Sequence, residues 1–283
     1  ARLTVVDVVP EPAGGGPAPA DHMAAAVAQR RAALESLFAP HDPPTDLRVE
    51  ILVGIRSVEV VRAVLRDQYD LVVKPAEDPD WVERLFGGDD MRLLRQCPCP
   101  VWLMRAGEKP RYERIVAAVD FDPDTVGGDP PGLNERILAL ASSLALSDAA
   151  SLHLVHAWDA PGAGLARVWA DDPASTERDI LERERLRHAA GVDTLTQALR
   201  GRIGDEVYRA LSLRVHLPMA SARRAIPALV RELGADLVVM GTVVRTGIPG
   251  FVIGNTAEAI LDQLRCSVLA IKPPGFESPV RLD

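Results

Sequence analysis

The sequence predicts an α/β protein built from two doubly wound, five-stranded parallel-sheet units, the first lacking its initial strand and helix. Three observations carry this. Short Val/Leu/Ile-rich runs alternate with helical runs, the pattern of parallel strands joined by helical crossovers. Segments recur in the same order at a fixed offset. The first copy of the repeat opens with what the second copy uses as its second strand.

The second copy gives the full order. "YERIVAAVD" reads as a strand and "LNERILALASSLAL" as a helix; "SLHLVHAW" is the next strand. Asp172 is placed as an N-cap with Pro173 at the first helical position, opening a long charged helix through about Leu199. "LRVHLPM" is the third strand, followed by the helix "SARRAIPALVREL" with Ser221 as its cap. "DLVVMG" is the fourth strand, "NTAEAILDQL" the last helix and "SVLAIKP" the fifth strand. Five parallel strands with right-handed crossovers make a doubly wound domain.

The repeat is read from short matches. Leu47-Arg48-Val49 recurs as Leu213-Arg214-Val215, and Asp70-Leu71-Val72-Val73 as Asp236-Leu237-Val238-Val239, both at an offset of 166 in the numbering. Cys99-Pro100-Val101 and Cys266-Ser267-Val268 follow at 167. Shared order and near-constant spacing indicate two copies of one unit. "AGEKPRY" joins them, dividing the chain into residues 1–108 and 109–283. In copy two, 41 residues counted from Arg111 precede Leu152; in copy one, two precede its counterpart Leu3. About 39 residues, one strand and one helix, are thus expected to be missing from copy one by truncation, an alternative start or lost sequence. A parallel sheet without that strand exposes apolar edges.

Composition narrows the function classes. The formal charge is −8 and the pI about 5.3, which argues against a general nucleic-acid binder. Cys97, Cys99 and Cys266 are too few for a disulfide framework. No apolar run reaches the roughly 18 residues of a membrane span, and no signal peptide is visible. A cytoplasmic location is the expectation. The motifs G-x-x-x-x-G-K-[ST], G-x-S-x-G and H-E-x-x-H are absent, and no nucleophile, base and orienter assemble from the sequence. No catalytic residue is assigned.

"MGTVVRTGIPGFVIGNTAE" (residues 240–258) links the fourth strand of copy two to its last helix. It holds four glycines, Arg245 as its one cation, and no carboxylate before Glu258. A glycine-rich strand-to-helix turn offers backbone amides and a helix N-terminus to an anion, most often phosphate; the competing reading is a turn kept for its geometry alone. His153 and His156 fall on opposite faces of a strand with no third ligand spaced to join them, so no metal site is assigned. Cys97-Pro98-Cys99 lacks the C-x-x-C spacing of a redox pair. "ERERLRH" (residues 182–188) reads as a solvated helix face laced by i,i+4 ion pairs.

On these residues the chain resembles the universal stress protein family, whose glycine loop runs G-x-x-G-x₉-G-[ST]. Gly241, Arg245, Thr246, Gly247 and Gly254 fall on the usual positions, Ala257-Glu258 extends the match, and the "CPV" opening the last strand of copy one is typical. The resemblance spans the chain and is nearest to the tandem E-type members. Val244 departs from the pattern at the second glycine, and Asn255, a good N-cap, at the Ser/Thr. The resemblance implies an adenine nucleotide, ATP with Mg2+, in the second unit. Asp120 would meet the adenosine portion, Ala157 the adenine, and Met240 the base or ribose. The backbone of Gly241, Gly254, Asn255 and Thr256 would cradle the phosphates, with Val244 and Gly247 in the loop between. It also implies a pseudo-dimer of the two units through "CPVWLMR" and "CSVLAIKP", and a homodimer as a further form. In copy one Lys74 and Pro75 replace Met240 and Gly241, amid Glu77, Asp78, Asp80, Glu83, Asp89 and Asp90. That charge repels a polyphosphate. A stress-tolerance regulator acting by binding, with no obligatory cofactor, is the leading expectation. A nucleotide-independent scaffold with an apolar ligand and a slow ATPase are the alternatives.

Overall fold

The computed structural model describes residues 2–11, 20–41, 47–76, 88–105, 107, 109–123, 132–160, 162–164, 171–242 and 253–282. In the first unit, strand β1 (Thr4–Val9) is followed by α1 (Ala20–Phe38), β2 (Arg48–Val53), α2 (Arg56–Asp67), β3 (Val72–Pro75), α3 (Asp89–Gln96) and β4 (Val101–Met104). The second unit runs β5 (Arg114–Ala118), α4 (Leu133–Asp148), β6 (Ser151–Val155), α5 (Pro173–Ile203), α6 (Asp205–Ala210), β7 (Arg214–His216), α7 (Ala222–Leu233), β8 (Leu237–Gly241), α8 (Asn255–Leu261) and β9 (Ser267–Ile271).

The repeat is visible in the geometry. Helices α2 and α7 are equal in length and start at Arg56 and Ala222, which keeps the offset of the sequence repeat. Each ends on a left-handed residue at the same relative position, Gln68 (φ 54°) and Gly234 (φ 57°). A left-handed C-cap closes a helix by turning its last amide back on the final carbonyls.

The sheet order is β3-β4-β9-β8-β5-β6-β7, with β1-β2 as a separate parallel pair. In the second unit the first strand, β5, lies at the centre, between β8 and β6. Among the described residues the strands of the first unit fall into two groups. Strands β1 and β2 pair with each other, while β3 and β4 join the other unit's sheet. Burial follows. Every residue of β9 is buried, whereas Val8 is the single buried residue of β1. Leu3 and Val73 are about half exposed.

The units join through β4 and β9, the one antiparallel pair among the described residues, in the register Val101↔Ala270, Trp102↔Leu269, Leu103↔Val268. By the 167-residue offset Val101 corresponds to Val268 and Leu103 to Ala270, so the pairing maps onto itself about the Trp102–Leu269 pair. This is the isologous contact of a two-fold dimer made within one chain. One apolar cluster runs through both units and includes Val61, Leu93, Leu103, Ile226, Ile260 and Val268. A second lies in the second unit beneath α4 and α5, around Ile115, Ile137, Leu152, Leu199 and Leu237.

Local signals decide the helix ends. The Asp172 carboxylate accepts the Ser175 amide at 3.3 Å, with Pro173 at the first position, as expected. The helix runs four residues past Leu199, to Ile203. Ser221 occupies the N-cap position of α7, but its side chain makes no capping bond. The cap of α8 is Gly254, not Asn255, which is the first helical residue. Inside α7, Pro227 has no amide to offer the Arg223 carbonyl one turn earlier. Gln263 Nε2 donates to that carbonyl instead, at 3.1 Å.

Candidate functional site

The second unit is doubly wound. From β5 the chain crosses through α4 to β6 on one side; from β8 it crosses through α8 to β9 on the other. Between β5 and β8 the strand order therefore reverses. In such sheets ligands bind in the crevice outside the carboxyl ends of the strands at this switch point. Ala118 of β5 pairs with Met240 of β8, so Asp120, two residues beyond, and the Met240-Gly241 pair flank the same crevice.

Backbone fixes Asp120 in place. Its amide donates to Asn134 Oδ1 at 3.2 Å, and its carbonyl accepts from Asn134 Nδ2 at 3.0 Å. Asn134, buried in the first turn of α4, is a positioning residue that the sequence reading did not find. Asx side chains at helix starts commonly hold a neighbouring loop, so the pairing of an Asn with the end of a strand was a usable signal. The Asp120 residue itself is exposed.

On the β8 side, Met240 is 4% exposed and belongs to the cluster shared by both units. Gly241 abuts α4: a Cβ there would come to 3.0 Å from Leu133 Cδ2. Packing alone is enough to favour glycine at 241. Gly254 donates its amide to the Thr242 carbonyl at 3.1 Å. Asn255 and Thr256, both exposed, open α8; among the described residues their amides have no acceptor, as for the first amides of any helix. Ala157 is half-buried at the end of β6. Val244 and Gly247 lie outside the described residues.

Beside the crevice the structure builds an aromatic and imidazole layer. Phe121 stacks on His156 with ring centroids 3.9 Å apart and planes 11° apart. His156 Nε2 meets His188 Nδ1 at 2.8 Å, and His156 Nδ1 lies 3.3 Å from the Val119 carbonyl. With Nδ1–H donating to that carbonyl, Nε2 accepts and His188 donates, a single run of hydrogen bonds through the two rings. Trp158 closes the layer, 5.5 Å from His188, its Nε1 donating to Leu217 O at 3.0 Å. His188 was expected on a solvated face. It is buried instead, the first of the stripe His188, Val192, Thr196 and Leu199 along α5. The ion pairs of that helix, Arg185–Glu182 and Arg187–Glu184, are spaced i,i+3.

His153 pairs likewise, its Nδ1 2.9 Å from His216 Nε2. Burial holds both imidazoles below their ordinary pKa, so they are neutral at pH 7. These four histidines gather in twos; among the described residues no three His, Cys, Asp or Glu side chains are placed to hold a metal ion. Cys97 and Cys99 lie with their sulfurs 3.5 Å apart and buried. That S–H···S contact and burial push the Cys99 thiol up.

The fold and this crevice define a class: a tandem α/β protein of paired Rossmann-like units with a switch-point cleft in the second. The sequence profile of the universal stress protein family matches residues 1–105 and 111–272, and the chain belongs to that family. It is similar to universal stress protein E of Salmonella typhi, with 31% identity over 240 residues, 84% of this chain and 72% of that protein. Identity with universal stress protein E of Escherichia coli is also 31%, over 79% of this chain and 67% of that protein. Among solved structures, a universal stress protein from Archaeoglobus fulgidus superposes with a TM-score of 0.63 over 96% of this chain and 88% of its own, at 15% identity. A functionally unknown protein from Pseudomonas aeruginosa gives 0.61 over 96% and 83%, at 24% identity. Two profile matches in one chain agree with the internal pseudo-dimer. Among the described residues no helix is long and apolar enough to cross a membrane.

Proposed function

We propose that the second unit binds an adenine nucleotide, ATP with its Mg2+, in the crevice between β5 and β8, and that the protein acts in stress tolerance as a nucleotide-responsive binder. One observation carries the reading: Asp120, Gly241 and the opening of α8 converge on the strand-order switch point of the complete unit. The exposed Asp120 suits the ribose hydroxyls, and the amides of Asn255 and Thr256 suit phosphate oxygens. Met240, Gly241 and Ala157 would line the crevice beneath the base, with Gly254 shaping the turn through its bond to Thr242. Val244 and Gly247 belong to the loop that would pass over the phosphates.

A thermal-shift titration with ATP, ADP and AMP tests this, since a ligand selective for the folded state raises the melting temperature. At about 100 times the dissociation constant the gain in stability is about 2.7 kcal/mol. Asp120→Ala should lower the response to all three nucleotides. Gly254→Val should weaken the response to ATP more than to AMP. A response unchanged in both variants, or absent from the unaltered chain, would refute the assignment.

A further inference from the structure

We propose that the trough where the linker meets the second unit is a binding site for a small polyphosphorylated anion. The trough has a volume of about 450 Å³. It lies at the amino ends of β5, β8 and β9, the opposite end of the sheet from Asp120 and Gly254. Its walls carry Arg105, Lys109, Arg111, Arg231 and Arg265 against one carboxylate, Asp236. In a chain of net charge −8 this is a local reversal of sign.

The guanidinium charges there are not neutralised by carboxylates among the described residues. Asp236 is committed to backbone, accepting the amides of Glu113 at 2.8 Å and Arg114 at 2.9 Å. Lys109 is paired with Glu113. The four guanidinium groups have no carboxylate partner among the described residues. Arg105 Nη1 donates to the Arg265 carbonyl at 2.8 Å and Arg265 Nη1 to the Leu264 carbonyl at 3.2 Å. Arg111 and Arg231 show neither ion pair nor side-chain hydrogen bond among the described residues. Other arginines do find carboxylates, Arg66 with Glu50, Arg95 with Glu258 and Arg200 with Asp205; what sets the trough apart is that four without one line a single concavity. Cations around one concavity repel each other, and a bound anion relieves that repulsion.

The first unit serves as an internal control. The 166-residue offset sets Leu65, Tyr69 and Asp70 against Arg231, Ala235 and Asp236, and the 167-residue offset sets Pro98 against Arg265. The aspartate recurs, so the fold accounts for it. The arginines do not recur, and the small Ala235 stands where the first unit has Tyr69, a ring packed on the core. Arg231, Arg265 and the open space over Ala235 are therefore features of the second copy and not of the repeat. Guanidinium forks match phosphate oxygens in pairs, and a trough of this size admits a ligand with two or more phosphate groups.

Isothermal titration of the full-length chain with inorganic tripolyphosphate tests the proposal. Arg111→Gln/Arg231→Gln is expected to weaken binding by about tenfold or more. Gly254→Val, in the crevice at the other end of the sheet, is expected to leave it unchanged. Sulfate at equal ionic strength should bind at least about tenfold more weakly than tripolyphosphate. ATP and guanosine tetraphosphate as competitors distinguish a nucleotide from bare polyphosphate; displacement that survives Gly254→Val and is lost in the double variant belongs to the trough. A second measurement needs no variant: tripolyphosphate should protect Arg231 from phenylglyoxal in the unaltered protein, read by peptide mass. The proposal is overturned by an absence of binding, by equal binding in the double variant, by sulfate binding as well as tripolyphosphate, or by unprotected Arg231. Failure of the crevice reading leaves all four of these readouts unaffected.

Discussion

Gly191 shows how much a single hydrogen can matter. It sits inside the long helix α5, where glycine costs about 1 kcal/mol relative to alanine. A Cβ at this position would overlap Phe121 Cε2 and fall 2.7 Å from Cζ. The ring has no room to retreat, because its other face is stacked on His156. Gly191 is therefore kept for close approach rather than for a special backbone angle. Gly191→Ala should destabilise the protein by about 1–3 kcal/mol despite its better helix propensity, the usual range for overpacking. Urea denaturation midpoints check this. The same variant carrying Phe121→Leu should recover part of the loss, since the clash is with the ring.

At the scale of the element, α7 shows how a helix tolerates an internal proline. Pro227 leaves the Arg223 carbonyl without its intrahelical donor, and the Gln263 side chain just beyond α8 supplies one. The same amide donates to the Ala259 carbonyl, so Gln263 ties two helices together. Gln263→Leu removes both bonds while keeping the size of the side chain. It should cost about 0.5–1.5 kcal/mol per bond lost. Hydrogen exchange should quicken in α7 and at the end of α8, with the central strands unchanged. A loss confined to α8 would contradict the bridging role.

At the scale of the whole molecule, the two units are held by a shared strand pair and a small set of polar ties. Arg95 and Glu258 pair at 2.6 Å across the junction, and the Arg105 amide donates to Ser267 Oγ at 2.8 Å. Lys272, 3% exposed, donates to the Leu94 carbonyl of the first unit and, at 2.8 Å, to Thr242 Oγ1 of the second. Burial lowers its pKa to about 8, with Cys97 a smaller opposing influence. The sign of the consequence follows from proton linkage. Between pH 8 and about 10.4, the ordinary value, the unfolded chain holds a proton that the folded chain has released, so raising the pH favours the folded state. Measured against Lys272→Met, the unaltered protein should gain stability from pH 7.5 to pH 10 and show no relative change from pH 6 to pH 7.5. A flat difference across pH 7.5–10 would show that the amine titrates normally.

Much of this architecture was already written in local chemistry. The alternation of apolar strands and helices, the internal repeat and the Asp172-Pro173 helix start depend on neighbouring residues or short matches, and each appears where the sequence put it. The correspondence of the two copies was legible too, since the second copy provides a ruler for the first. The strand order was not: only the tertiary structure shows that the first strand of the second unit, β5, lies at the centre of its sheet. The same holds for the crevice. Asp120 and Gly241 are far apart in the chain, and it is the parallel pairing of β5 with β8 that makes them neighbours. The histidine pairs, the Asn134 clasp and the arginine-lined trough also join residues distant in the chain. Sequence by itself determined the family, the two units and their elements, because propensity, capping and periodicity act over a few residues. Tertiary structure alone decided which side chains meet, because long-range contacts depend on strand order and crossover direction, and no short stretch of sequence encodes either.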